Sequence, residues 1–591
     1  MTNAEIAAAL DELADLYELD GAVVYRVVAY REAAQSIRNS PVSVEQLARE
    51  GRAPELRNVG KTLQEKILAL VETGDIPAAA KLRAKFPGEL VRFTRIPGLG
   101  AKTARRIHDE LGISTLAELR DAAEEERLRI VSGLGPKAEQ NIVRALEKLE
   151  EEGPAERLLL SAVLTIGEEI VAHLRAHPAA DRVEIAGSAR RMTDTCKDLD
   201  IVATARDRAA LTKAFTEVQL LGTVGSSGDA GARAVTHNGL KIDFRVVQPD
   251  QYGNVLQHLT GSKQHNVELR EYAVRRGLHV SEYGVEEDET QNVHRCPTEE
   301  RVYEVLGLPY IEPELREGRG ELQAALAGSL PRLVAEGDLR GDLHCHTTLS
   351  DGRSTLTDMA RAAAARGYEY LAATDHSASH GFGNDVQADE LLRQVERVRA
   401  LNEELDGFRV LAGSEVNINV DGTLDYEDDV LAELDWVVAS VHTSFRTGER
   451  AMTERMMAAM DHPLVDVIGH PTGRLILRRD PYAVDVERLV EHAAHTGTML
   501  EINGNPDRRD LSDIHARLAA QAGVPIVVDS DAHSTRTLGV IRYGVATARR
   551  AWLTKDDVAN TRTWKQLEKM RKRVRTAKTA SKAASKAARR R

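Results

Sequence analysis

Along the last 250 or so residues, short apolar runs alternate with longer mixed stretches at roughly thirty-residue intervals. The runs are Asp342–His346, Tyr370–His376, Arg409–Glu415, Trp436–His442, Val465–His470, Met499–Asn503 and Ile526–His533. Six of the seven deliver His, Asp or Glu at or just after the C-terminal end, and only the Met499 run ends in Asn503. A strand–helix–strand unit needs about 30 residues. Units in series build a parallel α/β barrel whose functional side chains gather at the C-terminal rim of the strands. The spacing therefore puts His344, His346, Asp351, His376, Glu415, His442, His470, Asp531 and His533 on one face of one barrel.

The front of the chain has a different rhythm. Residues 1 to about 85 read as helices, with Ile6, Leu10, Leu13 and Leu16 or Tyr17 at helical spacing. Residues 90–150 are also helical, broken at Pro97-Gly98 and at Gly133–Pro136. Further on, helices alternate with short strands over Val183–Ala186, Leu199–Ala203 and Lys241–Val247, and turns with short helices follow to residue 318. The resulting division is 1–88 helical, 89–153 helical with hairpins, 154–248 and 249–320 α+β, 321–339 linker, 340–570 barrel and 571–591 tail, with a charged link near Glu147–Pro154.

Nine potential ligands exceed the three protein ligands of a catalytic zinc. Shared carboxylates let them hold two or three ions, and neighbouring ions suit phosphoester hydrolysis. One such histidine alone would be an ordinary core or solvated-loop residue, and His462, His492, His495 and His515, outside the strand ends, are expected to be ordinary histidines. The stretch from 340 to about 550 resembles the PHP (polymerase and histidinol phosphatase) family through His344-Cys345-His346, Ser350-Asp351-Gly352, Thr374-Asp375-His376, Gly413-Ser414-Glu415, His442, Gly469-His470-Pro471 and Asp531-Ala532-His533. The resemblance implies a distorted seven-stranded barrel and an active hydrolase. Such a site accepts Mn²⁺, Zn²⁺ or Fe²⁺.

A second constellation lies upstream. Strand alternation puts Asp198 and Asp200 on one face with Leu199 and Ile201 on the other, and likewise groups Lys241, Asp243 and Arg245 against Ile242 and Phe244. Three converging carboxylates repel one another unless divalent cations join them, and oxygen ligands favour Mg²⁺ or Mn²⁺. Gly187-Ser188, just after a strand, offers backbone N–H groups and a hydroxyl to a triphosphate, with Arg191 as a forked donor.

These residues, with Thr260-Gly261-Ser262 to Asn266, resemble the nucleotidyltransferase palm of family X DNA polymerases, the DNA polymerase beta group. With the barrel attached, the whole chain resembles the bacterial members that carry a C-terminal PHP domain. The resemblance implies that Asp198, Asp200 and Asp243 bind two catalytic metals and that Asp243 helps deprotonate the primer 3′-hydroxyl. It also gives Ser188 and Arg191 to the triphosphate, Gly187 and Gly261 to the bound nucleotide, Asn266 to its minor-groove edge and Arg270 to the template side. Where vertebrate relatives carry Tyr-Phe and then an acidic residue, this chain has His258-Leu259 and Lys263.

Two internal repeats, Ile96–Ala104 and Val131–Ala138, carry Gly98, Gly100 and Lys102, and Gly133, Gly135 and Lys137. A weaker copy, Asn58-Val59-Gly60-Lys61-Thr62, has Asn58 in place of the first glycine. Paired glycines make a tight turn, and N–H groups at the next helix N-terminus can hold a phosphate. The repeats resemble helix-hairpin-helix modules, which grip the DNA backbone without reading sequence and could hold Na⁺ or K⁺. Gly60-Lys61-Thr62 is not an ATP-binding P-loop, because Glu55 stands where that motif needs glycine. Lys66 falls where the polymerase beta group carries its Schiff-base lysine, so a 5′-deoxyribose-phosphate lyase step is one expectation and simple phosphate contact the other.

The totals narrow the setting. Apolar content of 42% and charged content of 29% are ordinary for a globular chain. Cys196, Cys296 and Cys345 form no CxxC pair, which suits a reducing cytosol. No cationic-then-apolar leader and no run of eighteen apolar residues is present, so a membrane partner is not expected. Residues 571–591 hold ten Lys or Arg and no acid; removing those charges from the net of −13 leaves −23 on the rest. Such a composition is not expected to pack a core; the tail either adds phosphate contacts to DNA or is only a solubilising end. The expectation is a cytosolic monomer that fills short gaps in nicked or gapped DNA from dNTPs and trims 3′ ends with its barrel, which could also cut abasic sites. Two alternatives remain: a nuclease barrel for which the front half only binds DNA, and a small-molecule phosphatase.

Overall fold

The computed structural model describes residues 1–572 except 39, 41, 87–89, 94–95, 97–98, 132–133, 137–138, 141, 144–145, 147–156 and 382–383. Backbone contacts divide the chain into two units. One holds residues 1–158, 162–189 and 195–256; the other holds 159–161, 190–194 and 257 onward.

The first unit opens with the helix Asn3–Leu19, started by a capping box in which Thr2 and Glu5 exchange hydrogen bonds. Its face of Ile6, Leu10, Leu13 and Leu16 is fully buried, as the helical spacing requires. The helix Lys61–Thr73 buries Leu63, Ile67 and Leu70 and stops at Gly74, whose φ of +78° suits a residue without a Cβ. The same unit holds a five-stranded sheet in the order Ala180–Ile185, Asp198–Ala205, Lys241–Val246, Gly231–Thr236, Leu221–Gly228. Only three of these strands were expected. The hairpin Leu221–Gly228/Gly231–Thr236 is the addition, and its first strand is exposed along almost its whole length. A helix passes close over the sheet at Gly167, where a Cβ would meet Ile185 and Leu199 side chains at 2.9 and 3.2 Å.

In the second unit, a small antiparallel sheet, Leu278–Ser281, Gly284–Glu287 and Val293–His294, accompanies the helices Lys263–Val274 and Glu299–Val305. The stretch expected as a linker, 321–339, is packed instead. Leu322, Ala325 and Leu333 join the core around Val302 and Leu306, and Val334 and Leu339 join the barrel core. Apolar residues at these positions gain more from burial than from solvent.

Seven parallel strands then follow in sequence order: Gly341–Asp342, Tyr370–Ala373, Arg409–Asn417, Trp436–Ser440, Val467–Ile468, Met499–Asn503 and Ile526–Asp529. A bridge between Cys345 and Ala532 joins the ends of the first and last strands, leaving a nearly closed barrel. The first and fifth strands are shorter than their apolar runs, so His344, His346 and His470 sit past the ladder on the rim. Trp436, Tyr370, Val438, Val467, Met499 and Leu567 cluster as one apolar core. The expected tail begins later than residue 571. Arg571 forks onto Asp466 at 2.9 and 3.0 Å, and Lys572 donates to the carbonyls of Met460 and His462, so both are buried. Beyond them, the tail lies outside the described residues, as does most of the charged link Glu147–Pro154. No helix among the described residues is long and apolar enough to cross a membrane.

Candidate active sites

The barrel rim carries one dense cluster, with the Glu415 carboxylate at its centre. Its Oε2 lies 2.9 Å from His376 Nδ1 and 3.4 Å from His344 Nε2; its Oε1 lies 2.9 Å from His470 Nε2 and 3.1 Å from His442 Nε2. Asp531 Oδ1 stands 3.2 Å from His346 Nε2 and 3.8 Å from His344 Nε2. At the outer edge, Asp351 Oδ2 is 3.1 Å from His533 Nε2, and its Oδ1 is 3.8 Å from His376 Nε2. The structure therefore brings all nine rim residues together. Potential ligand atoms fall within 4.8 Å of one another in the groups His346/Asp351/His376/His533, His344/His346/Asp531 and His376/Glu415/His442.

These residues fit divalent cations. Nε2 of His344, both ring nitrogens of His346 and His442, and Nδ1 of His376 are buried and, although carboxylate oxygens stand near several of them, make no hydrogen bond of good geometry. Orphaned buried nitrogens are costly, and convergent lone pairs are what an ion requires. Burial, then the charges of His533 and His376, push His346 down to about 4; burial also pushes His442 down to about 4. Both rings are thereby kept neutral and able to ligate. Burial works against the charge on Glu415 and Asp531, yet the surrounding imidazoles hold both well below the usual carboxylate range. For His533, burial opposes protonation, but the Asp351 hydrogen bond and Asp531 raise it to about 9. Two of the nine also occupy the left-handed region, His470 at φ +26° and Asp531 at +51°. Such strain persists only where the surroundings over-determine it.

Supporting residues emerge that the strand-end pattern did not single out. Glu501 lies within the strand Met499–Asn503, the run with no ionisable end. It accepts from His344 Nδ1 at 2.5 Å and from the backbone N–H of His470. Asn503 Nδ2 donates to Asp531 Oδ2 at 3.0 Å. Asp375 accepts from the backbone N–H and hydroxyl of both Thr347 and Ser350, at 2.7–3.2 Å, and so fixes the loop that carries Asp351. The His380 ring stacks on His376 at 4.2 Å. A signal for Glu501 did exist: a charged residue at an inward position of an otherwise apolar strand.

In the five-stranded sheet, Asp198–Ala205 and Lys241–Val246 run parallel, with Asp200 opposite Asp243 and Asp198 opposite Lys241. Leu199, Ile201, Ile242 and Phe244 are buried behind them. The three aspartates share the open face, but they form none of the close ligand groups found among the described residues. Asp243 instead faces Arg245 Nη2 at 3.3 Å and Arg233 Nε at 4.0 Å. Gly187, at φ +67°, opens the short helix Gly187–Arg190, and a Cβ there would run into the Asp200 carboxylate. Ser188 beside it is half-buried.

In the second unit, Arg191 Nε pairs with Glu317 Oε1 at 3.1 Å and its Nη1 donates to the Thr260 carbonyl. The guanidinium expected to meet a triphosphate is thus occupied by protein groups. Gly261 has φ +68°, and a Cβ on it would come to 3.3 Å from Arg191 Nη1. Asn266 is held between the His258 carbonyl and Gln257 Nε2, both at 2.8 Å, and Arg270 Nε donates to the Asn266 carbonyl at 3.1 Å.

Among the hairpin residues, Gly60 and Gly100 are the N-caps of the helices Lys61–Thr73 and Ala101–Leu111. Asn58 adopts φ +64°, the conformation a glycine would take there and that asparagine tolerates best among the rest. Lys61 and Gly135 are exposed and Lys66 is half-buried. Gly98, Gly133 and Lys137 lie outside the described residues, as does the side chain of Lys102.

Four family descriptions match parts of the chain. Residues 1–76 match the helix-hairpin-helix domain, 65–148 the SAM-like helix-hairpin-helix tandem, 255–317 the DNA polymerase beta thumb and 342–505 the PHP domain. The barrel region is similar to a probable phosphatase of Thermoanaerobacter sp. (strain X514), 31% identical over 246 residues, 40% of this chain and 95% of the relative. It is also similar to a probable phosphatase of Syntrophotalea carbinolica, 28% identical over 229 residues, 37% of this chain and 90% of the relative. Over 575 residues, 97% of this chain and 100% of the relative, the identity to the DNA polymerase/3′-5′ exonuclease PolX of Bacillus subtilis (strain 168) is 36%. A likeness that runs through both chains from end to end makes this protein a member of the PolX family, family X DNA polymerases with a C-terminal PHP domain.

Proposed function

We propose that this protein is a DNA polymerase and 3′–5′ exonuclease that fills short gaps in DNA repair. The observation that carries the reading is the full-length likeness to a relative named for both activities. In the sheet, Asp198, Asp200 and Asp243 would hold two Mg²⁺ or Mn²⁺ ions, and Asp243 would take the proton of the primer 3′-hydroxyl. Gly187, Ser188 and Arg191 would receive the dNTP triphosphate, Arg191 after leaving Glu317, and Gly261 would line the nucleotide. Asn266 would face the base edge and Arg270 the template.

On the rim, His344, His346, Asp351, His376, Glu415, His442, His470, Asp531 and His533 would hold two or three Mn²⁺, Zn²⁺ or Fe²⁺ ions. Ions bound there would supply water activation and charge neutralisation for phosphodiester hydrolysis. The chain's own part is to keep His346 and His442 neutral, to orient His344 through Glu501 and to fix the Asp351 loop through Asp375. Gly60, Lys61, Gly98, Gly100, Lys102, Gly133, Gly135 and Lys137 would grip the backbone of gapped or nicked DNA, with Na⁺ or K⁺ at the hairpins. Lys66 would attack the aldehyde of an abasic sugar. The setting that fits is a monomer in the bacterial cytosol or nucleoid.

A gapped duplex with a 5′-labelled primer, incubated in Mn²⁺ with and without dNTPs, tests both centres. Lengthening should vanish in Asp200→Ala, and shortening in Glu415→Ala. Extension that survives Asp200→Ala would overturn the polymerase assignment. An inactive sheet would favour a front half that only binds DNA, a reading to which the arginines around Asp243 lend some weight. A second reading for the barrel, a small-molecule phosphatase, is favoured by its likeness to the probable phosphatases. Comparing turnover of histidinol phosphate with that of 3′-ended oligonucleotides separates the two.

A further inference from the structure

The barrel centre is made of carboxylates and imidazoles, whereas its expected substrate brings a row of phosphates. One cationic side chain stands at the edge of the centre. Arg508 lies just beyond the strand Met499–Asn503, its Nε 3.7 Å from Asp531 Oδ2 and its side chain 22% exposed. At that distance the pair is not a closed fork onto the carboxylate. Asp531 Oδ2 already accepts from Asn503, and Oδ1 faces His346 and His344. The backbone beneath Arg508 is firmly placed: its N–H donates to the Asn505 carbonyl at 2.9 Å, and its own carbonyl accepts from Arg474 Nε at 2.8 Å.

A second guanidinium is carried by the adjoining loop, whose Ile476 N–H donates to the Asp507 carbonyl at 2.7 Å. Arg479 sits in the loop that leaves the ligand His470 and closes where the Tyr482 N–H meets the Thr472 carbonyl at 3.1 Å. Its Nε and Nη2 both donate to the Gly473 carbonyl, at 3.1 and 2.7 Å, and its plane lies 4.3 Å over the Phe445 ring. Burial, and then the positive charge of Arg508, pull Arg479 below its ordinary value. Two neighbouring cations held by rigid backbone are an electrostatic cost that an anion relieves. Planar guanidinium groups are suited to forked contact with phosphate oxygens.

We propose that Arg508, backed by Arg479, forms a subsite for the phosphodiester next to the one being cut in a DNA strand. Arg508 approaches Asp531 at Oδ2, whereas His346 and His344 face Oδ1, so the guanidinium stands across the carboxylate from those two rings. The inference rests on the hydrolytic reading of the barrel and specifies how that site holds its strand.

The test uses the full chain in Mn²⁺ and a 5′-labelled pentathymidylate. The linkage next to the 3′-terminal one is either a natural phosphodiester or an uncharged methylphosphonate. The wild-type protein should lose about ten- to a hundredfold in kcat/KM on the methylphosphonate, mainly through KM, the scale of one charge-assisted contact. Arg508→Ala should lose a similar factor on the natural strand and little more on the methylphosphonate, since the charged partner is then gone from both sides. Arg508→Lys should recover only part. Binding followed by fluorescence anisotropy in EDTA, where nothing turns over, should show the same loss of preference for the natural strand. Equal losses on both strands with weakened Mn²⁺ binding would mean that Arg508 only props Asp531, and would overturn the subsite. A wild-type protein that shortens neither strand would defeat the hydrolytic reading, and the subsite with it.

Discussion

His344 and Glu501 meet at 2.5 Å, Nδ1 against Oε1, with both side chains fully buried. The contact decides which nitrogen of His344 is left for an ion. With Nδ1–H donated to the carboxylate, Nε2 points to Glu415 and Asp531. The other oxygen of Glu501 receives the N–H of His470, so one interior carboxylate orients two rim residues. Partners of this kind typically govern metal affinity by about 10–100-fold. Glu501→Gln should weaken Mn²⁺ binding by that order in a calorimetric titration while the far-ultraviolet circular dichroism stays unchanged. Undiminished affinity would show that His344 needs no such orientation.

A similar argument applies to Asp375. It accepts four hydrogen bonds from Thr347 and Ser350, and the loop they belong to presents Asp351. Both backbone N–H groups and the Ser350 hydroxyl share Oδ1, so Asp375→Asn puts its amide where Oδ2 accepts from the Thr347 hydroxyl; that buried hydroxyl loses its charged acceptor, at about 1–3 kcal/mol. The expected outcome is a lower Tm together with exonuclease loss greater than polymerase loss. Equal loss of both activities would indicate general unfolding.

Much of this centre was legible because most of the rim residues stand at or near the end of an apolar run, and a strand of fixed direction delivers its last side chains to a fixed rim; Asp351, in the loop after the first strand, was legible only through its Ser-Asp-Gly motif. Glu501 escaped that logic, since it works from inside its strand. The exposed strand Leu221–Gly228 escaped for the opposite reason. Gly222, Thr223, Gly225, Ser226, Ser227 and Gly228 give no apolar alternation, and the strand exists through pairing with Gly231–Thr236. Arg571 and Lys572 read as tail by composition, but Asp466 and two carbonyls at the barrel capture them. A partner distant in sequence leaves no local trace.

Gly187 tests the palm separately. Its φ of +67° disfavours any side chain, and a Cβ would press on Asp200. Strain of about 1–3 kcal/mol at such a position corresponds to about ten- to a hundredfold in rate if it displaces the carboxylate. Gly187→Ala should therefore depress primer extension by that order. Extension at the wild-type rate would show that the close approach has no role.

Glu299 carries a pH dependence. Its carboxylate is buried, which alone would raise it, but Arg316 and Arg190 bring it down to about 2. A depressed carboxylate contributes stability that is present above the unfolded value of about 4.3 and lost as pH falls toward the folded value. The contribution is on the order of 3 kcal/mol. Tm should drop between about pH 4.5 and 2 more steeply in the wild type than in Glu299→Gln, which is less stable at neutral pH because the buried Arg316 and the half-buried Arg190 lose their counter-charge. Parallel pH profiles for the two proteins would exclude the triad as the source.

Ion binding should be visible as stability before any activity is assayed. The rim holds orphaned nitrogens on His344, His346, His376 and His442 around the Glu415 and Asp531 carboxylates, a set that gains from a cation only when folded. A ligand that binds the native state alone stabilises it by about 2.7 kcal/mol at a hundred times its Kd. For a domain of this size, each kcal/mol shifts Tm by about 2–4 °C. Adding Mn²⁺ to chelator-treated protein should thus raise the barrel transition by about 5–10 °C. The increase should shrink sharply in Glu415→Ala, which removes the carboxylate that five imidazoles share, and should persist in Asp200→Ala, whose change lies in the sheet. If Glu415→Ala kept the full shift, the ions would be binding elsewhere, and the nine rim residues would be a buried polar network without a metal.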